Sequence, residues 1–414
     1  MRKMNTIKTG ILSLMMIFLM TACDPDTGIS YISVKINAVS QVEGVSTDGL
    51  TVTLENFDEA IRIVKIISGE TTIDSIIPGI YNITITGQVE DEYGKAYNMN
   101  GSLSRKSLIV SNEVLQIDVN GSGFSPLIFK EIFYSGTKYT TTSGGTANYF
   151  RNQFYEIYNN SQITIYLDGT HFANLAPIKA TATLPVWPEA DGNKYVYAER
   201  IWKIPGTGTQ YPLEPGESVV ISQFAANHQL EIYCPASPVD CSKSEFEFNM
   251  NNANFPDQPA DDMSHVFYDG KSEMGTIPQY LTSVFGGAYV IFKIPEGDTY
   301  DPVGNETLKT TDLSSTSTKL YAKIPVEYIL DAVEAVDNEA AIQNKRVPAT
   351  LDAGATYVGA TYNSLGVARK KTGTNNNGTP ILQDTNNSTD DFIHGVTPEF
   401  RRDGAKAPVW NTRL

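Results

Sequence analysis

A period of two constrains this chain more than any other feature. In Tyr81-Asn82-Ile83-Thr84-Ile85-Thr86, apolar and polar residues alternate and β-branched side chains dominate. Successive side chains of an extended strand point to opposite faces, and branching at Cβ suits the pleat, so this run reads as a half-buried strand. Runs at 31–39, 50–54, 61–67 and 114–119 have the same character. Asp48-Gly49, Pro78-Gly79 and Asn120-Gly121-Ser122-Gly123 punctuate them with turn chemistry. Short strands at this spacing predict a small antiparallel sandwich over residues 30–122.

Beyond 120–125 the strand signals resume with larger aromatics. Residues 127–134 form one run, a Thr/Ser/Gly-rich loop follows through Ala147, and further strands are expected at 153–158 and 162–167. Tyr149, Phe150, Phe154, Tyr155 and Tyr158 crowd one segment. If that segment is extended, Phe154 and Tyr158 face one way and Tyr155 the other. Trp202 sits in an expected strand and reads as core. Residues 326–336 carry apolar side chains at both helical and strand spacing, so periodicity alone allows a short helix there. The 414 residues suffice for two or three domains. A 41% hydrophobic content supports sizeable cores, and 19% charged residues argue against a largely disordered chain.

Several motifs resemble known families. Ile77-Pro78-Gly79-Ile80-Tyr81, leading into its alternating strand, resembles prealbumin-like or carboxypeptidase-regulatory-like sandwich modules. That resemblance implies a tyrosine packed under a turn in the core, in a domain that serves as a spacer. Glu156-Ile157-Tyr158-Asn159-Asn160-Ser161 resembles the first strand and turn of the lamin-tail domain, an immunoglobulin-like sandwich. The run from Tyr211 through Pro215-Gly216 to Ile221 resembles that family's proline-glycine turn, and Asp331-Ala332-Val333 its "D-x-V" strand. The stretch from Leu382 through Asp391-Phe392 to Thr397-Pro398 resembles its closing tail. The motifs keep the family order over a long span, which implies insertions, chiefly at about 235–320. By this resemblance 326–336 is a strand after a short turn. The whole layout resembles a family of Bacteroides-type lipoproteins of unknown function. The expected fold is therefore all-β, with two antiparallel β-sandwich (immunoglobulin-like) domains. Residues 30–122 form the first, and residues 123–414 the second, enlarged by insertion.

The N-terminus bears on location. Arg2, Lys3 and Lys8 precede an apolar run from Ile11 to Met20, then come Thr21, Ala22 and Cys23. Basic start, apolar middle, small residues and cysteine resemble a bacterial lipoprotein signal. The resemblance implies cleavage of residues 1–22, lipidation of Cys23 and a tether over 23–29. Asp24 and Asp26 resemble the surface-export signal of Bacteroidetes lipoproteins, so the expected location is the outer membrane, lipid-anchored at the cell surface. The apolar run falls short of the roughly 18 residues a spanning helix needs. Loss of Arg2, Lys3 and Lys8 would leave 28 basic residues against 47 acidic ones, a net −19. Such a field repels nucleic acid and anionic headgroups, which argues against a nucleic-acid partner.

Chemistry is sparse. Cys234 and Cys241 make an even pair for an oxidising compartment, and the intervening Pro235 and Pro238 suit a short closed loop, so a disulfide is expected, with two free thiols as the alternative. The histidines, His171, His228, His265 and His394, fall in no metal or catalytic spacing and read as surface or packing residues. Gly206-Thr207-Gly208 lacks the context of a phosphate loop and reads as a turn. Two acidic groups, Asp257/Asp261/Asp262/Asp269 and Asp384/Asp390/Asp391, raise a calcium hypothesis, since calcium takes six to eight oxygens from loop acids. Neither fits an EF-hand, so no metal or other cofactor is assigned. Trp187, between Pro185 and Pro188, and Tyr155 are the candidate ligand-stacking rings. Asp74-Ser75-Ile76 matches a short O-glycosylation pattern of exported Bacteroidetes proteins, with Ser75 as acceptor. The expected function is non-enzymatic binding or accessory work, beside an outer-membrane transporter. A glycan-binding surface protein and a calcium-assisted hydrolase are the alternatives.

Overall fold

The computed structural model describes residues 30–413, except 43, 91–95, 123–124, 254, 276–279 and 281. The signal, Cys23, Asp24 and Asp26 lie outside the described residues. Among the described residues no helix is long and apolar enough to cross a membrane.

Seven strands build the N-terminal region: β1 (Ile32–Ser40), β2 (Thr51–Asn56), β3 (Ile61–Ile66), β4 (Thr71–Ile76), β5 (Gly79–Glu90), β6 (Ala96–Leu108) and β7 (Glu113–Ser122). They pair in the order β3-β2-β5-β6-β7-β1-β4. Alternation decides which side chains go in. Ile32, Val34 and Ile36 of β1 and Tyr81, Ile83 and Ile85 of β5 are buried, and they join one core with residues from β2, β4, β6 and β7. Inward residues from across the sheet meet in a single cluster, so the sheet curls around its own core. The Tyr81 hydroxyl donates to the Ile77 carbonyl (2.8 Å), tying the Pro78-Gly79 turn to the core. The structure corrects the purely antiparallel pairing expected from sequence. β1 and β7 pair in parallel over seven residues, from Val34↔Glu113 to Ser40↔Val119.

Residues 127 onward form two large sheets. In one, β8 (Leu127–Phe133) and β11 (Phe154–Asn159) are central, flanked by Ser218–Ser222 on one side and Gly366–Arg369 on the other. Between β8 and β11 lies a hairpin, β9 (Thr137–Thr140) and β10 (Thr146–Tyr149). The other sheet has Tyr195–Lys203, His171–Leu175, Ala288–Phe292 and Ile329–Val336 at its middle. The main core takes Phe129, Tyr155, Ile157 and Val219 from the first sheet and Phe172, Trp202, Tyr289 and Val333 from the second, so the two sheets face each other across it.

The segment 235–320 contributes to the second sheet. It supplies Ala288–Phe292, which pairs on both sides inside the second sheet. Residues 326–336 resolve into a 3-10 turn, Val326–Tyr328, and then the strand Ile329–Val336. Trp202 is fully buried.

β8 and β11 are buried on both faces. Their second face meets the C-terminal segment: Phe400 packs on Phe133 and Phe154, and Ala405 and Leu382 on Ile128 and Tyr158. That segment also places Arg402 on Glu131 (2.9 Å) and Arg401 on Glu245 (2.6 Å).

Candidate functional site

The tail acids form an ion network rather than a calcium site. Asp384 and Asp391 both lie against the Arg369 guanidinium (3.2 Å each), and Asp331 closes the ring at 2.8 Å, with every side chain about 2% exposed. Arg369 also donates to the carbonyls of Phe129 (2.8 Å) and Gln383 (3.0 Å). A guanidinium occupies the place a cation would take. Asp390 turns away and accepts from the Asn387 amide (2.7 Å). Burial pushes Asp331 up to about 7 and Asp391 up to about 6, against the pull of Arg369. Burial disfavours the Arg369 charge too, but the carboxylates together outweigh it and raise its pKa.

The other acidic group divides. Asp261 accepts from the Tyr211 hydroxyl (3.0 Å) and Asp269 from the Leu320 N–H (2.8 Å). Asp257 and Asp262 instead join Glu247, their carboxylate oxygens within 4.8 Å of one another. The parallel bridge Glu247↔Asp262 brings the two acids together. The Asn249 amide donates to both aspartates (3.2 Å each), and Glu247 accepts from the N–H groups of Ala225 (2.8 Å) and Gln258 (2.9 Å). Burial, with Asp262 and Asp257 adding to it, raises Glu247 to about 7. The trio offers three of the six to eight oxygens calcium takes. Sequence reasoning missed Glu247, because nothing in its local run marks its neighbour across a two-residue bridge.

The four histidines do not converge. His171 stacks on Phe292 (4.6 Å), His265 meets Trp202 edge-on, and His394 stacks on Tyr357. Burial lowers His171 to about 3 and His265 and His228 to about 4, and it lowers His394 as well. Gly206-Thr207-Gly208 is a turn around Asp168, which accepts from the N–H groups of Gly208, Gln210 and Tyr211 (3.0, 2.9 and 2.9 Å). Gly206 has φ +114°, and a Cβ there would meet the Asp168 carboxylate at 2.2 Å.

Of the two candidate stacking rings, Tyr155 is excluded. It is fully buried between Phe172 and Tyr289, because both faces of β11 are covered. Trp187 is half-buried and lies flat on Tyr197 (4.2 Å, 11°), with Tyr321 at its edge, so one of its faces is already taken. Ser75 is exposed, in a left-handed conformation (φ +60°), where β4 bulges against β1. The expected disulfide is not formed. Cys234 and Cys241 are free, buried thiols, and backbone bonds hold their loop instead: Cys234 N–H to His228 O (3.0 Å) and Cys241 N–H to Ala226 O (3.1 Å). Burial raises the Cys241 thiol to about 12.

One exposed ring, Phe150, and two half-buried ones, Tyr139 and Tyr233, gather elsewhere. The β9–β10 hairpin and the loop at 227–237 enclose a groove of about 270 Å³, lined by Tyr139, Asn148, Phe150, Arg151, Ile232 and Tyr233 above Tyr149. Its floor is rigid for a chemical reason. The Phe224 carbonyl can only accept, so His228 Nε2–H donates to it (2.9 Å) and the Nδ1 lone pair faces the Tyr149 hydroxyl, which donates at 2.7 Å. Burial keeps this imidazole neutral, as that chain of bonds requires. Tyr233 packs edge-on against Phe224 (5.7 Å), and Arg151 lies over Phe255 (4.2 Å). Phe150, Asn148 and Ile232 are exposed at the rim. The accessible lining is mainly polar, with Phe150 as its exposed ring, so the groove offers hydrogen bonds beside a limited ring contact. Phe150 was visible in sequence as part of the aromatic crowd. Tyr139 and Tyr233 were not, since a hairpin and a distant loop bring them to it.

Comparison with known proteins adds the family. A family model described as a protein of unknown function (DUF4876) matches residues 214–399. The crystal structure of a DUF4876 family protein from Bacteroides thetaiotaomicron VPI-5482, at 2.50 Å resolution, is 57% identical in sequence, with a TM-score of 0.68. The match covers 92% of this chain and 100% of that one. No curated protein matches.

Proposed function

This chain belongs to the DUF4876 family of proteins of unknown function, and from that premise we propose that it is a lipid-anchored outer-membrane protein that binds a glycan at the cell surface without transforming it. The groove of Tyr139, Phe150 and Tyr233, with Asn148 and Arg151 at hand, carries the reading. Ring faces suit the C–H faces of a pyranose, and the amide and guanidinium suit its hydroxyls. The basic-apolar-small-Cys23 run supports the anchor, and Asp24 and Asp26 support display outside the cell. Within this reading, residues 30–122 are a prealbumin-like sandwich that acts as a spacer. Residues 123–414 are a lamin-tail-like, immunoglobulin-like sandwich that carries the groove and can present ligand to an outer-membrane transporter. Four histidines held in four separate settings give the calcium-assisted hydrolase no support.

Glycan-array binding followed by calorimetry tests the ligand class. Phe150→Ala and Tyr233→Ala should each weaken the best glycan by roughly tenfold or more while leaving the fold intact. Binding that survives both substitutions, or an array without a hit, sinks the proposal. Protease shaving of intact cells, with Cys23→Ala as control, tests the location: full protection of the wild-type protein until the outer membrane is opened would defeat surface display.

A further inference from the structure

One end of the N-terminal sheet is apolar and open. β1 and β7 pair in parallel from Val34↔Glu113, so both begin there; β4 and β6 end there, and β5 begins beside Leu108. Ser33 ties the end together: its N–H bonds Ser111 Oγ (3.1 Å), and its carbonyl accepts from the Asn112 N–H (2.7 Å). Ile109, Val110 and Tyr31 are 68%, 59% and 58% exposed on this end, with Ile80 and Val114 also exposed nearby. Of the charges around them, Lys35 pairs with Glu70 (2.8 Å) and Lys106 with Glu113 (2.6 Å), and Asp74 is exposed. Clustered exposed aliphatic groups mark an interaction surface more often than singly scattered ones do.

We propose that this end of the sheet is a membrane-docking surface whose occupant is the bilayer that holds the lipid on Cys23. The inference rests on the anchor proposed above. Reach is the first argument. Ser30 is seven residues beyond Cys23, so the tether spans at most about 25 Å and keeps this end near the membrane. Direction is the second. β7 leaves this end and runs ten residues, about 33 Å, before the chain enters the second region. Docking here leaves that connection on the membrane-distal side, while the second region lies beside the sheet, where Phe57 packs against Val336 and Ile342 and Arg105 donates to Asn344 (3.4 Å). Charge is the third. A chain of net −16, or −19 once residues 1–22 are removed, gains nothing from anionic headgroups, so contact with the bilayer must be apolar, and among the described residues the two ion pairs leave Asp74 as the unpaired charge beside the patch.

The test uses the full lipidated protein in phosphatidylcholine vesicles. An environment-sensitive fluorophore is placed at Ile109→Cys or, as control, at Val409→Cys, which is 85% exposed in the second region. Cys234 and Cys241 are buried and escape labelling. Docking predicts blue-shifted emission and several-fold stronger quenching by spin-labelled lipid at 109 than at 409, both lost when Val110→Asp is added. Equal, water-like spectra at the two sites in protein that floats with the vesicles overturn the docking surface alone. A blue shift in native membranes but not in vesicles assigns the surface to a protein partner and also overturns it. Wild-type protein that fails to float, like Cys23→Ala, overturns the anchor and this inference together.

Discussion

The two regions bury charge in opposite ways. In the N-terminal sheet the ion pairs Lys35–Glu70, Arg62–Glu55 and Lys106–Glu113 all lie at the surface, around a core of Ile, Val, Leu, Met99 and Tyr81. In the second region Lys130–Glu156, Arg346–Glu334 and Arg369–Asp331 have both partners at most 2% exposed. The difference follows from layering. A sheet with one covered face can send every charge to the other face. β8 and β11 are covered on both, so Lys130, Glu131 and Glu156 have no wet side and must be matched indoors. Buried ions add little net stability, because desolvation offsets their attraction, but they make the interior intolerant of losing one partner.

Arg369→Ala should have the largest effect. It strands Asp331, Asp384 and Asp391 around an empty guanidinium site, and removal of one member of a buried ion cluster costs about 3–5 kcal/mol. Urea unfolding followed by fluorescence and circular dichroism should show the second region melting early while the N-terminal sheet persists. A single unshifted transition would break the comparison.

pH should separate the regions next. Glu131, Glu247 and Asp331, raised to about 7, and Asp391, raised to about 6, all belong to the second region. Each binds its proton more tightly folded than unfolded, so the stability it adds is present at low pH and is lost as pH rises through about 6–7. His171, His228 and His265 are depressed, so the unfolded chain takes up protons first, and their contribution is lost as pH falls from about 6.5 toward 3–4. The two sets oppose each other between about 4.5 and 6.5. Calorimetry should find the second region's melting temperature flat across that interval, falling toward pH 8 and falling again below 4. The N-terminal transition, with Glu55 as its one raised carboxyl among the described residues, should move less.

The same layering explains how much could be read in advance. Period two at Tyr81–Thr86 specifies a strand with one wet face, and the structure puts Tyr81, Ile83 and Ile85 inside as that pattern requires. Around Tyr155 the pattern gave the right separation of faces and the wrong consequence. Tyr155 and Phe154 do point opposite ways, but Phe400, some 250 residues later, covers the side left for solvent. Asp384 and Asp391 were visible as a cluster, whereas the cation that neutralises them and the third acid, Asp331, come from other strands. The groove was half visible: Phe150 lies in the aromatic crowd, but Tyr139 and Tyr233 reach it only through a hairpin register and a loop held by Cys234 and Tyr233 backbone bonds. Local pattern is legible where one strand face decides burial. It fails where a distant segment does.

The smallest expected effect sharpens the comparison most. Lys106–Glu113 and Lys130–Glu156 are the same chemical pair on neighbouring strands of their sheets. The exposed pair is the closer one, 2.6 Å against 3.3 Å. Distance alone would make Lys106 the more important residue. Solvent reverses that. Lys106 and Glu113 are about a third exposed, so water replaces the lost partner, and Lys106→Ala should cost at most about 1 kcal/mol. Lys130→Ala leaves the Glu156 carboxylate dry, held only by Ser218 Oγ (2.6 Å) and the Arg401 N–H (3.2 Å), and should cost about 3 kcal/mol or more. Added salt should shrink the Lys106 effect and leave the Lys130 effect nearly unchanged, because mobile ions screen exposed pairs far more than buried ones. Equal costs for the two substitutions, or equal salt sensitivity, would mean that layering does not set the worth of an ion pair in this molecule.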